Sequence, residues 1–521
     1  MNTDCLFQEL GADYSGHCTV GLDEPVGHVT GPGTIRIDQN SKSKVEVSIE
    51  EFQAPPAYDN NLIAFLNASP PEKRGMATVV PIYATADDRR ITSLTMDTDN
   101  GSFTASSGLV MTPWHPGANA TLSLTLNDLA FTPHTNKTPK YWFVPLQGPF
   151  GEHRSGRPTP THPMALDGGS VITFAANGLG CGLQIFDPEK KPSHPMATYD
   201  AVAFGEISGL PGTLQETWDS MPRALIEALS FCLGADVTAP WIELRADDGS
   251  LARRFYFHIG HRSSLEGYPA FTSINESRPD SGIGAFLAAF FLLPEGKRDA
   301  LIAPLNLMRS GAPGSSNIED SITDLVKALD NLCQAHGLTT QDLLGRLEPD
   351  NRQKLTTLLT ETRNNLGQIV AENRVAARQE QVDVLNIIVS RLANVTSKSR
   401  DFGIAVKDLL KELNLHDADV LDRHYASLNP PGSWAGILSA VRGEVIHNGI
   451  LRIKDVQSLR SWFEFSRHLH DLCKRIILRE VKYGGTYDSS TNPWKSHYAV
   501  DRVQPTMTVK DLGFSRVPTH I

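Results

Sequence analysis

Cysteine is scarce in this chain. Six residues of 521 (Cys5, Cys18, Cys181, Cys232, Cys333 and Cys473) stand singly, with no C-x-x-C pair at the spacing a structural zinc or redox site uses. Reduced thiols follow, and neither a metal nor another cofactor is expected. Apolar runs of about 18 residues, the length that spans a membrane, are missing, and the opening MNTDCLFQELGADYSG has neither the basic stretch nor the apolar core of a secretory leader. The expectation is a cytoplasmic protein with no membrane partner, in which the N-x-[ST] triplets at Asn67 and Asn119 are chance matches. Basic charge is not in excess either. A net charge of -11 argues against coating nucleic acid by bulk attraction. No G-x-x-x-x-G-K-[ST], H-E-x-x-H or G-x-S-x-G occurs, so P-loop, zincin and hydrolase-elbow chemistries have no support.

What is present divides the chain. Its length fits two to four domains, and 40% hydrophobic residues suffice for real cores. Charge is uneven: residues 301–485 hold 23 Lys+Arg against 22 Asp+Glu, and the remainder 25 against 37. The acid lies outside the C-terminal part.

Alternating runs such as GTIRID (33–38), KVEVSI (44–49), TLSLTL (121–126), YWFVPL (141–146) and SVITFA (170–175) predict strands. Turn-rich stretches such as QAPPAYDNN and TPWHPGANA separate them. The expected fold is α+β and multidomain: an N-terminal antiparallel β-rich domain, sandwich- or barrel-like, over residues 1–285, an all-α bundle over 286–485, and an irregular tail over 486–521. One helix interrupts the strands near 213–233, where Trp218, Met221, Leu225, Ile226, Leu229 and Cys232 have helical spacing and Gly234 ends the run. WIELRADDGSLARRFYFHIG (241–260) reads as a hairpin. Beyond 285, Ser316-Asn317-Ile318-Glu319 is a capping box before a helix carrying Ile322, Leu325, Val326, Leu329, Leu332 and Cys333. Further helices are expected at 339–347, 351–395, 400–414, 433–448 and 455–483.

The segment WAGILSAVRGEVIHNGIL (434–451) lies between Pro430-Pro431-Gly432 and Asn448-Gly449, a start and a stop for one short helix. Ile437, Leu438, Val441 and Val445 form its apolar stripe. Arg442 sits at the edge of that stripe and His447 lies about 140° further round and about 7.5 Å along. Gly443 between them leaves a notch, although glycine inside a helix costs about 1 kcal/mol against alanine. A guanidinium stays charged and binds phosphate through parallel N–H donors, and an imidazole exchanges protons near neutral pH. Together they suit cleavage of an RNA phosphodiester by its own 2′-hydroxyl, with His447 as general base or acid and Arg442 stabilising the charged transition state. The expected products are a 2′,3′-cyclic phosphate and a 5′-hydroxyl, with DNA left uncut.

Arg442-Gly-Glu-Val-Ile-His447, at a helix end in a C-terminal helical region, resembles the R-x4-6-H motif of HEPN ribonuclease domains. With the capped helix carrying Asp324, Leu329 and Asp330 about a hundred residues earlier, behind a large β-rich domain, the arrangement is similar to ApeA-like HEPN proteins, bacterial anti-phage abortive-infection effectors. The resemblance implies an endoribonuclease whose two motifs meet across a homodimer, an RNA substrate, and an N-terminal domain that senses a phage-derived trigger or restrains the nuclease. Arg442 and His447 are the implied catalytic pair, with Gly443, Glu444 and Asn448 as supporting residues. Gly443 departs from the polar residue, often Asn, that commonly follows the Arg in the family. The alternative is a catalytically inactive HEPN bundle serving as a dimeric RNA-binding or protein-interaction module.

Other candidates are weaker. His258 and His261 fall on opposite faces of a predicted strand, and His468 and His470 are two apart on a helix, spaced wrongly for one metal and expected on a solvated surface. Gly178-Leu-Gly180-Cys-Gly182 reads as a hairpin loop rather than a nucleotide loop. Asp330 reads as an exposed or helix-pairing carboxylate.

Overall fold

The computed structural model describes residues 13–22, 27–37, 45–49, 90–110, 122–126, 128–148, 150, 169–176, 178–186, 201–207, 221–239, 241–257, 268–271, 282–313, 317–342, 348–375, 378–393, 397–399, 401–415, 433–448, 455–491 and 498–500. The chain divides into two units, Met1–Ile302 with Val481–Asp488, and Ala303–Glu480 with Ser489–Ile521.

In the first unit, fourteen antiparallel strands join in one sheet among the described residues. They are β1 (Asp13–Leu22), β2 (Gly27–Ile37), β3 (Val45–Ile49), β4 (Arg90–Thr98), β5 (Gly101–Ala105), β6 (Gly108–Val110), β7 (Leu122–Leu126), β8 (Asp128–Pro133), β9 (Tyr141–Leu146), β10 (Gly169–Ala176), β11 (Leu179–Phe186), β12 (Ala201–Glu206), β13 (Trp241–Arg245) and β14 (Leu251–Phe257). Because β1 bonds both β2 and β4, strands β1-β2-β3-β7-β6-β4 close a six-membered ring. From β4 the sheet continues as β5-β8-β14-β13-β9-β12-β11-β10. The Asp128 carboxylate holds the bend between β5 and β6 by accepting from the backbone N–H groups of Ser106 and Ser107 at 2.9 and 2.7 Å. Tyr14, Phe103 and Phe131, with ring centroids 4.7–6.3 Å apart, fill the space beside it.

Both expected hairpins are present, although Gly180 and Gly182 lie in strand β11 and not in the loop expected there: β10 pairs with β11 across Gly178, at φ +77°, and β13 pairs with β14 across Gly249, at φ +79°. Glu243 is fully buried, paired with Arg245 and, at 2.8 Å, with Arg254, and it accepts from Trp241 Nε1 at 3.0 Å. Burial pushes this carboxyl up, but the two guanidiniums outweigh it and hold the pKa below the ordinary value. The inserted helix α1 (Met221–Leu233) ends at Gly234, as its spacing predicts; φ there is +62° and a Cβ would lie 2.3 Å from Pro269 N. Helix α2 (Gly282–Phe291) packs on β10 through Phe291 and Phe174, 5.5 Å apart. Residues 481–488 complete this unit: Tyr483 lies 5.3 Å from the Phe271 ring, and the Asp488 N–H donates to Ala270 O at 2.8 Å.

Helix α3 (Glu295–Ser310) leads into the second unit, which is helical. Helix α4 (Ile318–Ala335) buries Ile322, Leu325, Val326, Leu329, Leu332 and Cys333. Its cap lies one residue later than the sequence suggests. Asn317 accepts from Asp320 N–H at 2.8 Å and donates to the Asp320 carboxylate at 2.7 Å, so Asn317 and Asp320 do the work expected of Ser316 and Glu319. Where a helix is expected over 339–347, Thr340–Asp342 forms strand β15, paired with β16 (Ser397–Ser399). The single helix expected over 351–395 is two, α5 (Pro349–Val375) and α6 (Gln379–Ala393), packed on each other as an arm whose base β15 and β16 close. Helices α7 (Phe402–Glu412), α8 (Trp434–Asn448) and α9 (Val456–Glu480) follow. Helices α4, α7, α8 and α9 make the bundle, with α4 joined to α9 by Ser321 and Ser466 hydroxyls 2.8 Å apart. Among the described residues no helix is long and apolar enough to cross a membrane.

Candidate functional site

Helix α8 starts at Ser433, whose hydroxyl accepts from Gly436 N–H at 3.1 Å. Trp434, Ala435, Ile437, Leu438 and Val441 are buried, the face the apolar stripe predicts; the Val445 side chain lies outside the described residues. The position of α8 is fixed by a backbone approach. Gly403, in the first turn of α7, leaves so little room that a Cβ there would sit 2.0 Å from Ala435 O. Two hydrogen bonds secure the crossing: Gly403 N–H donates to Ser439 Oγ at 2.9 Å, and Ser439 donates to Asp401 at 2.7 Å. Asp401 also caps α7 by accepting from Ile404 N–H at 3.2 Å.

This crossing brings Phe402 beneath Arg442. The guanidinium carbon lies 5.5 Å from the ring centroid, within cation–π range. From α4, Asp330 accepts a longer contact from Arg442 Nη2 at 3.4 Å. The Arg442 side chain is one-third exposed, and its Nε is buried with no hydrogen-bond partner among the described residues. One end of the guanidinium is thus anchored inward while the rest reaches the surface. Gly443, the next residue, has nothing among the described residues within 4 Å of where a Cβ would stand.

His447 and Asn448 lie in the last turn of α8, and their side chains lie outside the described residues. Glu444 is half-buried and engaged in an interaction of its own. Asp324 is turned to a different place from Asp330: it accepts from Ser310 Oγ at 2.7 Å and faces Lys327 at 3.8 Å. Asp330 is the helix-pairing carboxylate expected, and its partner is the candidate Arg itself. Phe402 was not singled out by the sequence. Its only signal is its place directly after the α7 cap, which does not reveal that α8 crosses there.

The other histidine candidates resolve differently. His258 and His261 lie outside the described residues. His468 and His470 are buried, not solvated as expected, and Ser489 and Ser490 lie against α9. His470 Nδ1 lies 2.8 Å from Ser490 Oγ, and Asp471 accepts from Ser489 Oγ at 2.7 Å and Ser490 N–H at 2.9 Å. Burial, helped by the Lys474 charge, holds the His470 pKa well below its ordinary value. Cys18, Cys181, Cys232, Cys333 and Cys473 are buried and in no disulfide, and burial raises the Cys18 and Cys181 thiols to about 12. No family model, curated protein or solved structure matches this chain.

Proposed function

We propose that this chain is a metal-independent endoribonuclease of the HEPN type, acting in anti-phage defence from an ApeA-like architecture. One observation supports the reading most: Arg442 is anchored on Phe402 and Asp330, beside the open position at Gly443, on the helix that also carries His447. A phosphate at the notch would meet the exposed end of a permanently charged guanidinium. His447 takes the proton of the 2′-hydroxyl, or delivers one to the leaving 5′-oxygen, as the 2′-oxygen–phosphorus bond forms and the phosphorus–5′-oxygen bond breaks. Five residues apart on one helix, the two side chains diverge by about 140°, so Arg442 of one chain serves with His447 of a second in a homodimer. The β-rich unit senses a phage-derived trigger or restrains cleavage.

The test is RNA cleavage by the purified full chain in EDTA, with end analysis of the products. Cyclic phosphate ends from the wild type, and none from Arg442→Ala, Arg442→Lys or His447→Ala chains of unchanged melting temperature, support the enzyme. A folded wild type that leaves RNA intact, with and without phage components, defeats it. A second reading, an inert bundle used for binding, is favoured by the Arg442 contacts themselves, since an ion pair between two helices is a structural use of arginine. It predicts that Arg442→Ala lowers stability and that no variant alters RNA.

A further inference from the structure

Five of the eight large apolar side chains that stand exposed among the described residues lie on the arm: Leu358, Ile369, Val384, Ile387 and Ile388. The arm has little core of its own. Of the 27 residues of α5 only Val370 is buried, and of α6 only Val382, among the described side chains. Helix α6 buries Val382 and leaves Val384, Ile387 and Ile388 exposed, Val384 and Ile387 by more than half. Two helices with so little burial gain little from each other.

We propose that the arm is a self-association surface, on which α5 of one chain lies antiparallel to α5 of a second copy about a twofold axis near residue 363. The sequence of α5 is self-complementary in that orientation. Leu358 and Ile369 are eleven residues apart, about 16.5 Å along the helix and about 20° round it, so they share one stripe. Lys354 stands four residues outside Leu358 and Glu372 three residues outside Ile369, on the same side. Antiparallel pairing sets Leu358 against Ile369 of the partner subunit and Lys354 against Glu372 of the partner subunit, and the twofold axis repeats both contacts. Parallel pairing in register would set like charges together. Charge does not oppose the pairing: the chain carries -11, while residues 349–393 hold six basic and five acidic side chains. A 27-residue helix, about 40 Å long, has the length for an interface of ordinary size.

The nuclease reading sets Arg442 of one chain beside His447 of a second copy on α8; the arm is a further contact of that dimer and is argued without it. The measurement is the mass of the full chain by light scattering or sedimentation at micromolar concentration. Twice 57.0 kDa is expected for the wild type, and 57.0 kDa for Leu358→Asp/Ile369→Asp with unchanged helix content. Lys354→Glu and Glu372→Lys should each weaken the dimer roughly tenfold, about 1.4 kcal/mol, and the two together should restore it. A wild type that stays monomeric at tens of micromolar overturns the proposal. So does a dimer indifferent to the Asp variants, or a double charge reversal that fails to recover. A dimer that cleaves no RNA leaves the arm standing and sinks the nuclease instead.

Discussion

Gly443 is the residue where stability and the proposed activity pull apart. Among the described residues a methyl group there meets nothing, and alanine is the better helix former, so Gly443→Ala should stabilise the chain by about 1 kcal/mol. If RNA phosphate enters the notch, the same methyl group should lower cleavage. Urea unfolding beside a cleavage assay checks both, and equal activity with raised stability removes the notch from the mechanism. His470 carries a separate expectation. Its folded pKa is depressed by burial and by Lys474, so the unfolded chain takes up a proton first as pH falls. Stability contributed by the neutral ring is therefore full above about pH 6.5, the ordinary histidine value, and is lost progressively below it. Melting temperatures from pH 8 to 5 should fall less steeply for His470→Gln than for the wild type.

Between elements, the α7–α8 crossing has the tightest tolerance near the candidate site. Gly403→Ala forces a Cβ toward Ala435 O, and overpacking of that kind destabilises by about 1–3 kcal/mol or more. The expected outcome is a lower urea midpoint with an unchanged slope, and loss of any activity that depends on Arg442. Helix α8 and its buried stripe could be read from the sequence because their causes are local: periodicity and the Pro-Pro-Gly break. The contacts of Arg442 could not, since Asp330 is 112 residues away and Phe402 meets the guanidinium only because a glycine lets two helices touch. The same distinction explains the errors. Strand β15 owes its state to Ser397–Ser399, far along the chain. Helix α5 ends at Val375 and α6 starts at Gln379, and the sequence between them carries neither glycine nor proline to announce a break. His470 is buried by a tail segment without periodicity.

For the whole molecule, the division into units is not a single cut. The chain leaves the β-rich unit after Ile302, builds the bundle, and returns with Val481–Asp488. Residues 1–302 made alone lack the Tyr483 ring that covers Phe271 and the Asp488 bond to Ala270. A buried aromatic side chain contributes about 1.5–3 kcal/mol, so this fragment should melt well below the corresponding transition of the full chain. Added peptide 481–488 should raise its melting temperature, and an indifferent fragment would show that the returning segment adds nothing to that unit. A sensor test by removing residues 1–285 also strips the partners of 481–488, so point variants in the intact chain are the cleaner experiment.

Closure of the six-strand ring has a consequence for synthesis. His17 of β1 pairs with Asp97 of β4, so that side of β1 waits for β4 until some eighty further residues have been translated. At roughly 5–20 residues per second, that side waits on the order of several seconds, a window in which a nascent-chain chaperone or another unfinished copy can reach it.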